Sequence, residues 1–291
     1  MNDQAEALRN LVKQSGNSRA TRIVTVTSGK GGVGKSNFSL NFALSLQRLG
    51  QKVLLFDADI GMANIDVLLG VSSPYHLYHL LKLDKTIWDI IQLGPNGLHF
   101  IAGGSGFNDL LDLSDEELHK FMDQIGKLHG MYDVILFDTG AGLSKETARF
   151  IAAAQEAIVV TTPEPTSITD AYALIKMVKG MGIDASFKLV VNRAVDRKEG
   201  KQTIDKIAMV AQRFLHSELP SLGIVPDDPN VSKAVKRQVP FTIAYPGTDA
   251  ARAIEDIAKR YLESDVSAAS DVSETTGGVK GFLHKMFRLS R

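Results

Sequence analysis

The fold of this 291-residue chain is decided by one stretch, Gly29-Lys30-Gly31-Gly32-Val33-Gly34-Lys35-Ser36. It matches the pattern GxxxxGK[ST] and lies between a β-branched run, RIVTVTS at 22–28, and a segment of helical periodicity at 37–50. In this setting the glycines let backbone N–H groups and a helix N-terminus face the phosphates of a nucleotide. We expect Lys35 to contact the β- and γ-phosphates and the Ser36 hydroxyl to bind Mg²⁺.

Strand-like and helical segments alternate along the rest of the chain. The predicted strands are apolar almost throughout, which is typical of a parallel sheet that is buried on both faces. They follow the first strand at 52–59, 98–103, 132–138, 156–162, 187–193 and 221–225. Helices are predicted at 115–129, 145–154, 168–181, 200–215, 231–237 and 248–264. The pattern predicts an α/β fold of the P-loop NTPase class, a mostly parallel twisted sheet with helices on both faces.

Composition excludes several classes of function. Lys plus Arg and Asp plus Glu both number 33, so the net charge is zero, which argues against a protein that coats nucleic acid by bulk charge. There is no cysteine, which excludes disulfides, cysteine-bound zinc, iron–sulfur clusters and thiol nucleophiles. No apolar run reaches the roughly 18–20 residues of a membrane span, and the N-terminus does not have the pattern of a signal peptide. We therefore expect a cytoplasmic protein.

Lys30 is a second cation in the glycine-rich loop that the general pattern does not require. With it, SGKGGVGKS at 28–36 resembles the deviant Walker A motif of the MinD/ParA branch of P-loop ATPases. In that family the early lysine reaches across a nucleotide-sandwich dimer to the phosphates bound by the other subunit. The resemblance, which covers about residues 20–260, implies ATP hydrolysis by a homodimer that uses ATP/ADP and Mg²⁺ as cofactors. It also implies that Lys30 and Lys35 are both catalytic.

Two acidic segments extend this resemblance. LLFDADIGMANID at 54–66 resembles the switch I segment of the family, and ILFDTGAG at 135–142 resembles its Walker B strand and switch II. By resemblance, Asp59 orients or activates the attacking water. Asp57 and Asp138 are implied to support Mg²⁺ through bound water. All three carboxylates follow or end predicted strands, so they are expected at the carboxyl edge of the sheet, near the phosphates.

Two later segments resemble the parts of the family that contact the base. VVNR at 190–193 ends a predicted strand, and VPDDPNV at 225–231 follows the last one. The resemblance implies that Asn192 reads adenine and that Pro226 and Asp227 lie in the later base-contacting loop. An Asn-Arg pair alone is weak as a motif. The resemblance becomes specific because all of these segments occur in the order found in the family, and each one follows a predicted strand.

The last part of the chain changes composition twice. Residues 264–278 are small and polar and predict a linker after an ATPase domain at 21–263. Residues 279–291, VKGFLHKMFRLSR, predict a basic amphipathic helix that binds an anionic membrane surface, with docking on its own domain or on a protein partner as the alternative. One such helix binds weakly, and two on an ATP-bound dimer gain avidity of about 10²–10⁴. The predicted membrane residues are Val279, Phe282, Leu283, Met286 and Phe287.

Residues 1–20 form an arm before the first strand and contain the segment DQAEALR. This segment resembles the N-terminal activator arm of FlhG (also called FleN or YlxH), a MinD-like ATPase family that controls flagellar number and placement. The resemblance implies that the arm stimulates the FlhF GTPase, with Gln4 as the critical polar residue and Leu8 and Arg9 in support. It also implies flagellar switch-complex components as partners and a location at the inner face of the cell membrane.

Two other functions are compatible with the same ATPase domain. A division-site regulator of the MinD type predicts binding to cell-division inhibitors and leaves the arm without a role. A DNA-segregation ATPase of the ParA type predicts ATP-dependent binding to non-specific DNA that is lost steeply with salt. The zero net charge and the amphipathic tail oppose the ParA reading, so DNA is not an expected partner.

Overall fold

The computed structural model describes residues 21–59, 64–83, 85–103, 115–183, 185–266 and 278–288. Its strands are β1 (Arg22–Ser28), β2 (Val53–Ala58), β3 (Ile91–Leu93), β4 (His99–Ile101), β5 (Val134–Ala141), β6 (Glu156–Thr161), β7 (Ser186–Ala194) and β8 (Ser221–Pro226). They form one sheet in the spatial order β3-β4-β2-β5-β1-β6-β7-β8. Neighbouring strands are parallel except at the edge where β3 pairs antiparallel with β4. The nucleotide motif follows β1, well inside the sheet.

Helices cover both faces of the sheet. Within the described ranges they are α1 (Lys35–Arg48), α2 (Ile65–Leu69), α3 (Leu77–Lys82), α4 (Ile87–Ile90), α5 (Asp115–Gly126), α6 (Lys145–Ala153), α7 (Pro165–Gly180), α8 (Arg197–Leu215), α9 (Pro229–Lys236), α10 (Phe241–Ala244), α11 (Asp249–Val266) and α12 (Val279–Arg288). Helices α1, α2 and α9–α11 pack on one face, and α3–α8 and α12 pack on the other. The predicted α/β architecture is confirmed.

The predicted strands are all present, and the differences from the prediction lie in short elements and helix ends. β3 and the helices α2, α3, α4 and α10 were not predicted, because three to six residues are too few to show a hydrophobic period. Helices α7 and α8 begin three residues before their predicted starts of 168 and 200. The prediction began at apolar residues, whereas α7 starts at Pro165 and α8 is capped by the Asp196 carboxylate, which accepts from the Glu199 N–H at 2.7 Å.

The C-terminal helix α12 is formed, and it packs against the protein's own domain. Val279, Phe282, Leu283 and Met286 are buried in the core cluster beneath α5 and α6. The Phe282 ring stacks on that of Phe137 in β5, with 4.7 Å between centroids. The side chain of Phe287, the fifth predicted membrane residue, lies outside the described set. Membrane contact stays a prediction, and none of the described helices is long and apolar enough to span a bilayer.

Thr21 and Gly278 both contact the loop that connects α5 to β5. The Gly130 N–H donates to the Thr21 hydroxyl at 2.8 Å, at the point where the predicted arm meets the domain. A Cβ placed on Gly278, directly before α12, would lie 2.6 Å from the imidazole of His129, so the glycine permits this close approach. The predicted arm residues Gln4, Leu8 and Arg9 lie outside the described residues.

The boundary between the domain and the predicted linker differs from the prediction. Helix α11 continues to Val266, three residues into the predicted 264–278 segment. The Ser264 hydroxyl donates to the Tyr261 carbonyl at 2.9 Å and accepts from Lys188 Nζ at 3.0 Å. These bonds compensate for a polar composition that, read from sequence alone, predicts an earlier helix end.

Candidate nucleotide-binding and catalytic site

The glycine-rich loop lies at the carboxyl edge of the sheet, between β1 and the N-terminus of α1. Gly32 and Gly34 have φ of 80° and 86°, a region that favours glycine. A Cβ on Gly34 would also lie 2.5 Å from Nδ2 of Asn192, and one on Gly29 would lie 2.2 Å from the backbone of Asp170 in α7. The loop therefore needs glycine both for its turn and for its close packing.

A cavity of about 940 Å³ opens in front of this loop. Its lining joins the loop to the segments that follow β2 and β5, as the sequence predicts. The predicted site residues among its walls are Gly31, Gly32, Gly34, Lys35, Ser36 and Asp59. A helix N-terminus and a lysine at the mouth of a cavity suit the phosphates of a nucleotide.

Asp138 is a fully buried carboxylate of the site. Its Oδ1 accepts a hydrogen bond from Lys35 Nζ at 2.9 Å and another from the Ser39 hydroxyl at 2.7 Å. Its Oδ2 is buried and has no hydrogen-bond partner within the described part of the chain. A buried carboxylate oxygen without a donor is costly, so this oxygen has the chemistry to accept from a bound water or to face a cation.

Asp57 lies beside Asp138, because β2 and β5 pair with these two residues in register. Its carboxylate accepts from the backbone N–H groups of Asp59, Asn64 and Ile65 at 3.2, 2.9 and 3.1 Å. Burial, reinforced by the charge of Asp138, nevertheless raises the pKa of Asp57 to about 7. Two adjacent buried carboxylates, of which Asp138 is paired with Lys35, form a site that a divalent cation would stabilise.

The predicted metal residues fit Mg²⁺. Ser36, Asp57 and Asp138 offer oxygen atoms, the donors that Mg²⁺ prefers. No group of three or more His, Cys, Asp or Glu side chains suited to direct metal ligation occurs in the described ranges. A Mg²⁺ ion bound by these residues would keep several of its waters and would neutralise phosphate charge.

Asp59 and Lys30 take different positions around the cavity. Asp59 lines it opposite switch II, where a Cβ on Gly140 would lie 3.6 Å from Asp59 Oδ1. Lys30 instead donates to Glu164 Oε2 and to the Thr166 hydroxyl at the start of α7, both at 3.0 Å. Lys30 and Glu164 are exposed by 39% and 57%, so the ion pair between them is weak.

The predicted adenine contacts come together in a second cavity of about 490 Å³ beside the loop. Asn192, Pro226 and Asp227 all line it. Nδ2 of Asn192 donates to the Val33 carbonyl at 2.8 Å, which fixes the amide beside the loop. The second cavity therefore lies directly next to the glycine-rich loop, where the prediction puts the base.

Sequence reasoning missed three polar residues that contact this machinery. Ser39 lies one helical turn after Lys35, a spacing that could have indicated a side chain facing the same way. Glu164 and Thr166 contact Lys30 from 134 and 136 positions away, and no local pattern announces such a pair.

A parallel sheet with this loop at its centre and buried carboxylates on β2 and β5 defines a P-loop nucleoside triphosphatase. Residues 24–241 match the family described as the CobQ/CobB/MinD/ParA nucleotide binding domain. The chain belongs to this family, which confirms the resemblance stated for its motifs.

Similar proteins and solved structures support the same family assignment. The antiactivator FleN of Pseudomonas aeruginosa is 37% identical, with 86% of this chain and 89% of FleN aligned. The flagellum site-determining protein YlxH of Helicobacter pylori is 36% identical over 99% of both chains. MinD of Pyrococcus horikoshii complexed with Mg-ADP matches with a TM-score of 0.67 and 26% identity, covering 87% of this chain and all of that one. These relatives confirm the FlhG-type resemblance.

The chain is thus an ATPase that uses adenine nucleotide and Mg²⁺. Phosphoryl transfer to water requires mainly positioning and charge stabilisation. The loop N–H groups and Lys35 are placed where they would hold phosphates, and the Ser36 hydroxyl and the carboxylates of Asp57 and Asp138 are the groups that would hold the ion and its waters. Asp59 lines the same cavity, so its carboxylate could reach a water beside the phosphates.

Proposed function

We propose that this ATPase is a dimerisation switch that binds the membrane in its ATP state and regulates flagellar number and placement. The flagellar assignment is supported by the names of its relatives, an antiactivator and a flagellum site-determining protein. The second of these aligns over 99% of the chain, so the similarity includes the two tails as well as the ATPase domain. The proposed parts are an arm at 1–20, the ATPase domain at 21–266, a linker at 267–278 and a membrane-targeting helix at 279–291, with the domain boundary moved to the end of α11.

The observation that carries the membrane proposal is the docked position of α12. Val279, Phe282, Leu283 and Met286 cannot insert into lipid while they are packed in the domain core. Each apolar side chain gains roughly 1.5–3 kcal/mol on full burial, in the core or in lipid. Because the two positions offer similar gains, a modest change in the groove decides between them.

The groove of α12 is joined to the nucleotide site through β5 and α6. Phe137 in β5 is stacked on Phe282 and directly precedes Asp138. Phe150 in α6 lies 6.3 Å from the Phe282 ring and also lines the nucleotide cavity. Movement of switch II on ATP binding therefore acts on the same two elements that hold the helix.

The proposed ATP state is a homodimer, and the position of Lys30 supports this. Its ion pair with Glu164 is exposed, so Lys30 can leave for the phosphates of a second subunit at little cost. Two helices on one dimer bind a membrane with an avidity about 10²–10⁴ above that of one helix. Nucleotide state and membrane binding are thereby coupled, and the protein is placed at the inner face of the cell membrane.

Vesicle sedimentation tests the membrane proposal directly. The full chain is mixed with ATP or ADP and with vesicles that contain anionic lipid or only neutral lipid. Binding is expected with ATP and anionic vesicles, because the basic residues of the helix add about 1 kcal/mol each at an anionic surface. Equal sedimentation in ATP and ADP would contradict the nucleotide switch, and no sedimentation at all would contradict the membrane role.

The arm decides between the flagellar function and the alternatives. We propose that residues 1–20 stimulate the FlhF GTPase, and that flagellar switch-complex components are further partners. The test is GTP hydrolysis by purified FlhF with the full chain and with its Gln4→Ala variant, which leaves the ATPase domain intact. Stimulation by the unmodified chain that is lost in the variant supports the flagellar reading. No stimulation by either protein favours the division-site alternative of the MinD type.

A ParA-type role remains the third candidate, and it has its own signature. It requires binding to DNA of arbitrary sequence that depends on ATP and weakens linearly on a log–log plot against salt. The measurement is DNA binding by the Asp59→Ala variant with ATP at several salt concentrations. We expect no such binding, since the chain has no net positive charge.

A further inference from the structure

Ser39 is a buried hydroxyl that contacts the metal-site carboxylate and has no role in the motifs. It lies in α1, fully buried, one turn after Lys35. Its Oγ is 3.0 Å from the Lys35 carbonyl, the usual partner of a serine within a helix, and 2.7 Å from Oδ1 of Asp138. The hydroxyl has one proton, and the carboxylate is the nearer and charged acceptor.

The two donors on Asp138 Oδ1 are not equivalent during nucleotide binding. Lys35 Nζ donates to Oδ1 at 2.9 Å in this structure, yet the motif assigns the same ammonium group to the β- and γ-phosphates. When Lys35 turns to a phosphate, Ser39 is the described donor that remains on Oδ1. Its backbone is fixed in the middle of a buried helix, so the hydroxyl cannot follow the nucleotide.

We propose that Ser39 is a positioning residue for Mg²⁺, which holds Oδ1 of Asp138 and keeps Oδ2 available to the waters of the ion. Oδ2 is buried and lacks a hydrogen-bond partner among the described residues, so it is the free acceptor of this carboxylate. Without Ser39, the carboxylate can rotate, and Lys35 becomes the sole described donor on it. The loss would therefore affect the binding of the ion more than the binding of the nucleotide.

The helix offers a matched control for this proposal. Ser45 lies in α1 as well, is 1% exposed, and its hydroxyl has no hydrogen-bond partner in the described structure. Ser45→Ala therefore removes the same atom from the same helix without touching Asp138. Ser39→Thr keeps the hydroxyl and adds one methyl group, so it tests whether the oxygen or the size of the side chain matters.

The experiment measures the affinity of a fluorescent ADP for the full chain in excess EDTA and in saturating MgCl₂. The readout is the dissociation constant in EDTA divided by the dissociation constant in MgCl₂. This ratio isolates the contribution of the ion to nucleotide affinity. Ser39→Ala is expected to reduce this ratio about tenfold, since the lost hydrogen bond is made to a charged group and is one of the stronger kind. Its affinity for ADP in EDTA is expected to match that of the unmodified protein, which also shows that the variant is folded.

Ser45→Ala is expected to leave the ratio unchanged. If Ser39→Thr folds, as its ADP affinity in EDTA will show, it is expected to restore most of the Mg²⁺ effect. In an Asp138→Asn background, Ser39→Ala is expected to cause no further loss, because the proposed role passes through that carboxylate. An equal loss of affinity with and without Mg²⁺, or an unchanged ratio in Ser39→Ala, would overturn the proposal.

Discussion

Phe282 of the C-terminal helix stacks on Phe137 with 4.7 Å between ring centroids and 18° between ring planes, and Phe137 is the residue before Asp138 in β5. Successive residues of a strand point to opposite faces of the sheet. One strand thus presents Asp138 to Lys35 and Ser39 in α1 and presents Phe137 to α12 on the other side. Any movement of β5 at this point therefore changes the contacts of Asp138 with α1 and the contact of Phe137 with α12.

Phe282→Asp is expected to release α12 from its groove, because a carboxylate cannot be buried there without a partner. ATP-dependent binding to anionic vesicles should fall to the level seen with ADP, since the same side chain is needed in the membrane. Affinity for ATP should change little, because Phe282 is not part of the cavity wall. His284→Ala, at an exposed position of the same helix, serves as the control. Retained vesicle binding in Phe282→Asp would contradict the role of the helix.

Lys30→Ala is expected to keep nucleotide binding and to lose ATP-dependent dimerisation, as followed by light scattering after size exclusion. The free energy of unfolding should change by no more than about 1 kcal/mol, since the ion pair with Glu164 is exposed. Glu164→Gln is the matched control, because it removes the local partner of Lys30 and leaves the cation in place. A dimer that forms normally in Lys30→Ala would remove the cross-subunit role.

Asp59→Ala is expected to slow ATP hydrolysis by about 10²–10⁴-fold, the usual effect of losing a group that handles the reacting proton or water. ATP-bound dimers should then accumulate, because hydrolysis no longer ends that state. Asp66→Asn, a carboxylate outside the cavity wall, is expected to hydrolyse ATP normally. A variant at Asp59 that stays monomeric with ATP would show that this residue serves binding rather than hydrolysis.

The stability of the nucleotide-free protein should decrease as pH rises toward 7. Burial raises the pKa of Asp57 from 3.8 to about 7, so the folded protein retains a proton that the unfolded chain has released. The resulting penalty is absent below the unfolded pKa, grows by at most about 1.4 kcal/mol per pH unit, and is constant above about pH 7.

Thermal or urea unfolding across this pH range checks the effect. Asp57→Asn is neutral at every pH and should flatten the profile, whereas Asp256→Asn, at an exposed position of α11, should retain the slope of the unmodified protein. Equal slopes in the Asp57→Asn variant and the unmodified protein would assign the pH dependence to other groups.

The nucleotide site was predictable because its parts follow strands. The loop after β1, the acids of β2 and β5 and Asn192 of β7 occur at the carboxyl ends of buried apolar runs, and parallel topology brings such ends together. Lys30 was identified from its motif, but its contact with Glu164 depends on the approach of α7 to the loop. That approach is set by tertiary packing, which leaves no periodic signal in the sequence.

The position of α12 was beyond sequence reasoning for a different reason. An apolar stripe with basic flanks has the same pattern whether it faces lipid or a groove in the protein. Docking of α12 on the domain depends on the shape of the groove that the helix occupies. This groove is formed by β5, α5 and α6. The sequence therefore predicted the helix and its apolar face, and left its docking on the domain open.

The residues at which the two tails leave the domain, Thr21 and Val266, limit how far apart the targets of the tails can be. A chain extends by at most about 3.3–3.6 Å per residue, so residues 1–20 reach no more than about 70 Å from Thr21. The eleven residues between Val266 and Gly278 allow at most about 40 Å by the same measure. Two molecules bound by the two tails at once are tethered to the same domain, one through Thr21 and the other through Val266. Each then meets the other at a local concentration set by these lengths, whatever their concentrations in the cell.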